Sequence, residues 1–415
     1  MSQPNILFLV TDQQRWDALG CTGGWVNTPN LDRIAGQGVL FSRCITNSPV
    51  CISARLSLAT GLYPHNTGVW NNMNHTLNPK TPTWMQAVRS AGYRTSLFGK
   101  THLHPHSGDL RDREGLMQAY GLDDVNEIGG PRASARVLSH MTADWEQKGL
   151  WETYRADYAE RFGNKPHVVR PSVLGLENYA DVYIGQQAKN YLEAYQWEQP
   201  WFCWVSFGGP HEPWDTPEPY ASMYHAEDMP PPIQPPSMDG LGLPQNCLDR
   251  RLKNGPKPTI SPQEAQKLRV DYAGNVTLID DQIGQILDTI GGRGELDNTV
   301  IAFVSDHGEM NGDYGLIYKS NFLNGAVRVP LIVRTPETAI ADLPNRICDS
   351  PVEWIDIGPT LVELANGTIN YRQYGKSLSL VLKDPDMDHR TEAISELEGE
   401  IMLLDREWKI ALNSE

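Results

Sequence analysis

The chain has 415 residues, 40% of them hydrophobic, so it can bury one large core or two cores of ordinary size. Lys and Arg number 35 against 51 Asp and Glu, which gives a formal net charge of -16. This acidic balance argues against nucleic acid and anionic membranes as partners, and it means that an anionic substrate needs local positive charge.

The N-terminal apolar run over 6–10 is too short for a secretory signal and ends in Thr11 and Asp12 rather than at a small-residue cleavage site. No later stretch has the apolar length needed to span a bilayer, so a cytoplasmic protein is expected. The cysteines lack the CxxC spacing and are predicted to be mostly reduced, buried thiols: Cys21, Cys44, Cys51, Cys203, Cys247 and Cys348.

Buried strands alternate with helices along most of the chain. Helices are predicted from Thr28, from Cys51 and over 83–91, 179–195 and 262–290. Strands are predicted over 5–10, 38–45, 93–98, 200–207, 299–305 and 327–334. This alternation predicts an α/β fold with a large, mostly parallel sheet sandwiched by helices.

Two regions interrupt the alternation, over 108–171 and 210–262, and their Pro, Gly, Trp and charged residues are typical of insertions that select a substrate. The character changes again after Gly367, where short antiparallel strands are predicted over 391–396 and 402–412. The predicted division is a catalytic α/β domain over 1–368 and a small C-terminal α+β subdomain over 369–415.

Two polar pairs follow buried strands directly. Asp12 and Gln13 end the first strand, and Asp306 and His307 follow the strand over 299–305. Carboxylate and amide oxygens are hard ligands suited to a divalent cation, and a histidine adds a nitrogen ligand. Each pair alone is equally an ordinary turn, but the two strand ends share one edge of the sheet.

Cys51 opens a predicted helix, and Arg55 follows one turn later on the same face. A helix N-terminus lowers the pKa of a thiol and stabilises negative charge, so this position suits a nucleophile. The alternative is a small, buried structural cysteine, and spacing alone does not separate the two.

Four further polar residues follow strands or strand-end turns: Lys100, His102, His211 and Lys319. Each alone has a structural explanation, either a hydrogen-bonded histidine or a solvated lysine. Together with the residues above, they would supply metal ligands, a nucleophile, cations for an anionic group and histidines for proton transfer at one edge of one sheet.

In this order, the motifs resemble those of the sulfatases of the alkaline phosphatase superfamily, and the likeness runs from Asn5 to about Leu412. Its most specific parts are the stretches 51–61, Gly99-Lys100-Thr101-His102, Pro210-His211-Glu212-Pro213 and Asp306-His307-Gly308. The resemblance implies an alkaline phosphatase-like fold. It also implies hydrolysis of a sulfate monoester through a covalent intermediate on formylglycine, which a maturation enzyme makes from Cys51.

The resemblance also assigns roles by position. One divalent metal, with Ca²⁺ expected first and Mn²⁺ or Mg²⁺ open, would be bound by Asp12, Gln13, Cys51, Asp306 and His307. Arg55 would hold the formylglycine hydrate, and Lys100 and Lys319 the sulfate oxygens. His211 or Lys319 would protonate the leaving alcohol, and His102 would accept the proton that releases sulfate. The expected substrate is a small sulfated sugar, aryl or alkyl ester.

Two alternatives remain at this stage. A phosphonate monoester or phosphodiester has the same charge and geometry as a sulfate monoester. The Asp-Gln and Asp-His pairs resemble the branch that contains choline sulfatases and phosphonate monoester hydrolases. An inactive or binding relative with unmodified Cys51 is favoured by Ser53, where the usual motif has Pro or Ala.

The usual acidic closing segment is not found before Glu415, so a truncated C-terminus is expected. Candidate substrate contacts are Trp70, Asn72, His75, His104, His106, Trp214 and Arg251.

Overall fold

The computed structural model describes residues 3–164, 168–234 and 260–413. Cys247 and the candidate contact Arg251 lie outside these residues. The strands of the described residues are β1 Asn5–Asp12, β2 Val39–Phe41, β3 Cys44–Ile45, β4 Arg94–Gly99, β5 Asp124–Glu127, β6 Trp201–Pro210, β7 Thr299–Ser305, β8 Arg328–Val329, β9 Leu331–Arg334, β10 Ile347–Cys348, β11 Val352–Glu353, β12 Ala393–Leu397, β13 Glu400–Leu404 and β14 Lys409–Asn413.

The main sheet has eight strands in the order β10-β2-β9-β7-β1-β6-β4-β5. Seven of them run in one direction, and only β9 is antiparallel to its neighbours β2 and β7. The predicted α/β fold with a mostly parallel sheet is therefore confirmed. Two small three-stranded sheets accompany it, β11-β3-β8 and β12-β13-β14.

Helices cover both faces of the main sheet. They are α1 Pro29–Gln37, α2 Cys51–Thr60, α3 Pro64–Thr67, α4 Trp84–Ser90, α5 Glu114–Ala119, α6 Gly130–Ser134, α7 His140–Gln147, α8 Trp151–Asn164, α9 Ala180–Ala194, α10 Pro262–Gly292, α11 Asn324–Val327, α12 Pro336–Ile340, α13 Ile357–Leu364 and α14 Ser379–Lys383. Apolar residues of α2, α4 and α13 pack on one face, and those of α1, α9 and α10 pack on the other. Among these helices none combines the length and apolarity that a membrane crossing requires.

Strand β1 lies in the middle of the main sheet and is buried on both faces. Phe8 and Val10 belong to one apolar core, whereas Leu7 and Leu9 belong to the other, and all four side chains are fully buried. Alternating side chains of a strand point to opposite faces, so a continuous apolar run is what a doubly covered strand requires.

Two predicted strands are each broken in the structure. The segment over 38–45 forms β2 and β3 in different sheets, separated by a turn at Ser42 and Arg43. The segment over 327–334 likewise forms β8 and β9, and Pro330, which has no N–H to donate, lies between them. Because β2 pairs with β9 and β3 with β8, both segments leave the main sheet together. The single strands predicted there were wrong.

The C-terminal region forms an antiparallel sheet, as predicted, but with three strands instead of two. The stretch predicted over 402–412 divides into β13 and β14 at a turn in which Asp405 N–H donates to Trp408 O at 2.9 Å. Ala393, Leu397 and Met402 pack against Ile45 and Val327. The boundary at residue 368 stays a prediction.

The insertion over 108–171 is more regular than its composition indicates. Four helices, α5 to α8, form there, and β5 pairs with β4 at one edge of the main sheet. The Tyr154 hydroxyl of α8 donates to Pro131 O at 2.8 Å, and Trp151 Nε1 donates to Ser134 O at 2.7 Å. These bonds attach α8 to the short helix α6.

Helix α1 is capped by a residue from another helix. Thr28, the predicted cap, makes no capping hydrogen bond and instead donates to Asp32 at 3.0 Å. Asp280 of α10 accepts from Leu31 N–H at 2.8 Å and from Asn30 N–H at 3.1 Å. This fully buried carboxylate therefore satisfies two amides of the first turn of α1.

We expect Asp280→Ala to lower the free energy of unfolding by about 1–3 kcal/mol, because two amides lose their acceptor and that of Leu31 is buried. Urea unfolding followed by circular dichroism measures this change. The control is Asp288→Ala on the exposed face of the same helix, for which the expected change is within about 0.5 kcal/mol. Equal effects of the two substitutions would contradict the capping role.

Candidate active site

Four neighbouring strands end around one point at the carboxyl edge of the main sheet. Strand β1 ends at Asp12, and Asp306 follows the last residue of β7. Lys100 and His211 stand just beyond β4 and β6, and helix α2 begins at the same point with Cys51. The structure thus brings together the segments identified in the sequence, because parallel strands present their carboxyl ends at one edge.

Four buried side chains at this point face one another with atoms that can bind a metal. Cys51 Sγ lies 2.9 Å from His307 Nε2 and 3.9 Å from Asp12 Oδ1. His307 Nε2 lies 3.7 Å from Asp12 Oδ1 and 3.6 Å from Asp306 Oδ1. The potential ligand atoms of these four residues all lie within 4.8 Å of one another. Carboxylate oxygens and an imidazole nitrogen at this spacing fit one divalent cation.

The His307 ring is oriented by its backbone. Nδ1 lies 3.0 Å from Gly308 O, so it carries the proton and donates it to that carbonyl. Nε2 therefore faces Cys51, Asp12 and Asp306, and its lone pair would be available to a bound metal.

The side-chain amide of Gln13 is held in one orientation. Its Nε2 donates to Glu212 Oε2 at 3.0 Å and to Glu309 Oε2 at 2.6 Å, while Lys319 Nζ donates to its Oε1. Because two carboxylates take the amide protons, the oxygen points the other way. The backbone N–H of Gln13 donates to Asp306 Oδ1 at 3.1 Å, which ties the end of β1 to the residue that follows β7.

Arg55 is fully buried one turn after Cys51 and joins the strand ends. Its Nε donates to Asp306 Oδ2 at 2.8 Å, and its Nη2 donates to Asp12 Oδ2 at 3.4 Å. Its Nη1 donates to Lys100 O at 2.7 Å and to Ser206 Oγ at 3.0 Å. A guanidinium with this many acceptors is compensated for its burial.

Lys100 and Lys319 bring two further cations to the cluster. Lys100 Nζ donates to Asp12 Oδ2, and both lysines are at least nine-tenths buried. Burial disfavours the ionised form of Asp12, but Lys100 and Arg55 together hold its pKa well below the usual range. Asp12 is therefore ionised across the physiological pH range.

The loop that carries Lys319 has an unusual backbone. Four residues other than glycine have positive φ there: Asn311 (51°), Tyr314 (57°), Tyr318 (71°) and Ser320 (69°). A positive φ at such a residue costs on the order of 1–3 kcal/mol, which contacts with the surrounding structure must offset. Glu309 provides part of this support, since its Oε1 accepts from the N–H groups of Asn311 and Tyr318.

His102 and His211 are both neutral at neutral pH. Burial and the charge of Lys100 hold the pKa of His102 well below its usual value, and burial and Lys319 do the same for His211. His211 Nδ1 donates to Glu212 O at 2.8 Å, so the lone pair is on Nε2. Among the described atoms His102 Nδ1 has no hydrogen-bond partner.

Part of this cluster lines a pocket of about 280 Å³, whose base is formed by its buried members Cys51, Lys100, His211 and Lys319. The residues that line it are Cys51, Ile52, Asn72, Met73, Asn74, Lys100, His102, Pro105, His106, Gly129, Gly130, Pro131, Arg132, Ala133, Arg136, His211 and Lys319. Of the candidate substrate contacts in the described residues, Asn72 and His106 line this pocket, whereas Trp70, His75, His104 and Trp214 do not. Trp214 is buried and stacks on Tyr318, with ring centroids 5.7 Å apart, so it has a packing role.

Three residues of the site were not identified from the sequence: Glu212, Glu309 and Arg132. The Arg132 guanidinium is paired with Glu212, which also accepts from Gln13. The two glutamates stand beside His211 and His307 in the chain, and that proximity was an available signal. Arg132 lies in the insertion over 108–171, where no periodicity indicated its position.

The family model of the sulfatases matches residues 4–368. The chain is 29% identical to the arylsulfatase of Clostridium perfringens over 400 residues, which covers 92% of this chain and 79% of that protein. It is 27% identical to the choline-sulfatase of Rhizobium meliloti, over 91% of this chain and 71% of the relative.

Among solved structures, the phosphonate monoester hydrolase of Agrobacterium radiobacter superposes with a TM-score of 0.76 at 23% identity, over 99% of this chain and 87% of that one. This likeness shows the shared fold. With a family model that covers most of its length, the chain belongs to the sulfatase family, whose members are hydrolases.

Cys51 differs electrostatically from the other described cysteines. Burial and Asp12 raise the pKa of its thiol, but the opposing effect of Lys319, His307 and Lys100 is larger. The net result is a thiol pKa lowered to about 7. Burial raises the pKa of the Cys21 and Cys203 thiols to about 12, and it raises that of Cys44 and Cys348 as well.

We therefore expect unmodified, chelator-treated protein to form one thiolate as the pH rises through about 7. The ultraviolet absorbance of the thiolate, titrated as a difference against Cys51→Ala, measures this step. Cys203→Ala is the matched control and should leave the step in place. A difference spectrum without a step near neutral pH would contradict the described electrostatics of Cys51.

Proposed function

We propose that the protein hydrolyses a sulfate monoester, R–O–SO₃⁻, to an alcohol and sulfate. The observation that carries the proposal is the position of Cys51 at the first turn of α2, among Asp12, Asp306 and His307 and beside two buried lysines. Sulfuryl transfer requires positive charge at the sulfur-bound oxygens and at the nucleophile, and this arrangement supplies it. The similarity to an arylsulfatase and a choline-sulfatase supports the same activity.

One divalent cation would be held by Asp12, Gln13, Asp306, His307 and the side chain at position 51. The oxygen-rich donor set suits Ca²⁺ first, and the single imidazole nitrogen leaves Mg²⁺ and Mn²⁺ as competitors. Bound there, the cation would stabilise negative charge on the attacking oxygen. Arg55 holds both aspartates in place from the opposite side of their carboxylates.

The proposed nucleophile is formylglycine, made from Cys51 by a maturation enzyme. Its hydrate would offer one hydroxyl to attack sulfur and a second whose deprotonation releases sulfate, and water then restores the hydrate. The first turn of α2 and Arg55 both favour negative charge at this position. Lys100 and Lys319 would bind the sulfate oxygens, because their ammonium groups lie at the pocket base.

Two proton transfers complete the reaction. His102 is neutral and lies at the pocket wall, so it is suited to accept the proton from the second hydroxyl. For the leaving alcohol, His211 and Lys319 are both within the site. His211 donates its Nδ1 proton to a carbonyl and has an unprotonated Nε2, whereas an ammonium carries its protons already. We assign the donor role to Lys319.

We expect protein matured in its native host, or beside a maturation enzyme, to carry an aldehyde at position 51. Mass spectrometry of the tryptic peptide 44–55 should show a mass below the thiol form by the difference between the two side chains. An aldehyde-reactive probe should label the same peptide. An unmodified thiol under these conditions would overturn the formylglycine mechanism and support an inactive or binding relative.

The matured protein should then be assayed on phenyl sulfate and on a phenyl phosphonate monoester under identical conditions. Both substrates present one negative charge on a tetrahedral centre, so one site could serve either. A higher kcat/KM for phenyl sulfate supports the proposal. A higher value for the phosphonate would replace it with phosphonate monoester hydrolysis on the same residues.

The donor assignment predicts a dependence on the leaving group. Lys319→Ala should lower kcat/KM by about 10²–10⁴-fold for an alkyl sulfate, whose alkoxide needs a proton, and by less for nitrophenyl sulfate. His211→Ala should affect the two esters by similar factors. The reverse pattern, with the leaving-group dependence in His211→Ala, would assign proton donation to His211.

A further inference from the structure

The lining of the pocket is rich in cationic side chains. Lys100, Lys319, Arg132 and Arg136 all line it, and no Asp or Glu stands among its described lining residues. The whole chain, by contrast, has a formal charge of -16. A concave cationic surface on an acidic protein concentrates anionic ligands locally.

The cations at the base have partners. Lys100 donates to Asp12 and Lys319 to Gln13, next to the position proposed for the nucleophile. Arg132 higher on the wall is also engaged, since it is paired with Glu212. Its guanidinium carbon also lies 5.1 Å from the Phe162 ring centroid and 5.6 Å from that of Tyr318. These contacts fix the Arg132 guanidinium at the mouth of the pocket, with about half of the side chain exposed.

Arg136 is different, because it makes no ion pair or side-chain hydrogen bond with the described residues. It stands two residues beyond α6, where its N–H donates to Ala133 O at 2.8 Å. The segment that carries it is fixed to α8 through the bonds of Tyr154 and Trp151. Arg136 is therefore an exposed cation on a well-supported wall, directed at the same pocket as Arg132.

The size of the pocket limits what these arginines can meet. A volume of about 280 Å³ accommodates one sugar or one aromatic ring beyond the sulfate group. A sulfate monoester has one negative charge, which the cations at the base can neutralise. The remaining charge on the wall lies on the side of the leaving alcohol, since the base is occupied by the sulfuryl-binding residues.

We propose that Arg136, supported by Arg132, binds a second anionic group on the leaving alcohol, so that the preferred substrate is a small, doubly anionic sulfate ester. This inference rests on the proposed hydrolysis of sulfate monoesters. A carboxylate or a second sulfate on a single ring provides the charge. Arg136 acts as a specificity-determining residue, and its guanidinium offers the fork geometry that such groups accept.

The test compares phenyl sulfates that carry a carboxylate at the meta or para position with the corresponding carboxamides. The measured quantity is the carboxylate-to-carboxamide ratio of kcat/KM in wild type, divided by the same ratio in Arg136→Gln. Differences in leaving-group reactivity cancel in this quotient, because both proteins meet the same esters. We expect this quotient to be about 10 for at least one of the two isomers, which corresponds to the loss of one charge-assisted contact.

The matched control is Arg155→Gln, an exposed arginine of α8 that lies outside the pocket lining. It should keep the wild-type ratio. A quotient near one for both isomers, or an equal loss in Arg155→Gln, would overturn the inference and reduce Arg136 to general surface charge.

A binding measurement separates this inference from the proposed reaction. In a Cys51→Ala background with Ca²⁺ present, calorimetry should show the carboxylate ester bound about tenfold more tightly than the carboxamide, and Arg136→Gln should abolish the difference. If matured protein cleaves neither ester, the proposed function fails, while this binding difference still supports the second anionic subsite. Equal binding of the two esters would overturn the subsite even where both are cleaved.

Discussion

The site depends on one buried guanidinium. Arg55 binds carboxylates that follow two strands of the main sheet, and it also binds the Lys100 carbonyl and the Ser206 hydroxyl from two others. Without it, Asp12 and Asp306 would face each other as buried like charges. Removing one partner of a buried ion pair costs about 3–5 kcal/mol, because the other charge is left unpaired. The carboxyl edge of the sheet can concentrate acids, a thiol and lysines because Arg55 lies between them.

The apolar parts of the fold make this concentration of charge possible. The central strand β1 is buried on both faces, and the apolar cores between the sheet and its helices exclude water from the whole strand. In such surroundings each charge acts strongly on its neighbours, which is why the thiol pKa of Cys51 differs so widely from that of Cys203, which burial alone raises. The strained loop of Lys319 is stabilised in part by Glu309, which accepts from two of its N–H groups.

Much of the architecture could be predicted because each signal is local. The apolar runs and the Asp-His-Gly turn indicated strands and strand ends, and parallel topology then placed those ends together. The breaks at Ser42 and Pro330 could not be predicted from one segment alone, since each depends on the other segment moving to the second sheet with it. The cap of α1 by Asp280 joins residues about 250 positions apart, a contact that no local pattern encodes. Arg132 escaped detection for the same reason.

The hydrogen bonds of Gln13 have a consequence for sequence change at this site. Its amide nitrogen donates to both Glu212 and Glu309, each of them fully buried. A carboxylate at position 13 would keep a ligand oxygen but would present a third negative group to these two, with no proton to share. An acid at position 13 would therefore raise the electrostatic cost of this cluster unless Glu212 or Glu309 is neutral or a proton is taken up. The three positions are therefore coupled, and we expect a relative with two acids at the end of β1 to differ at one of the two glutamates as well.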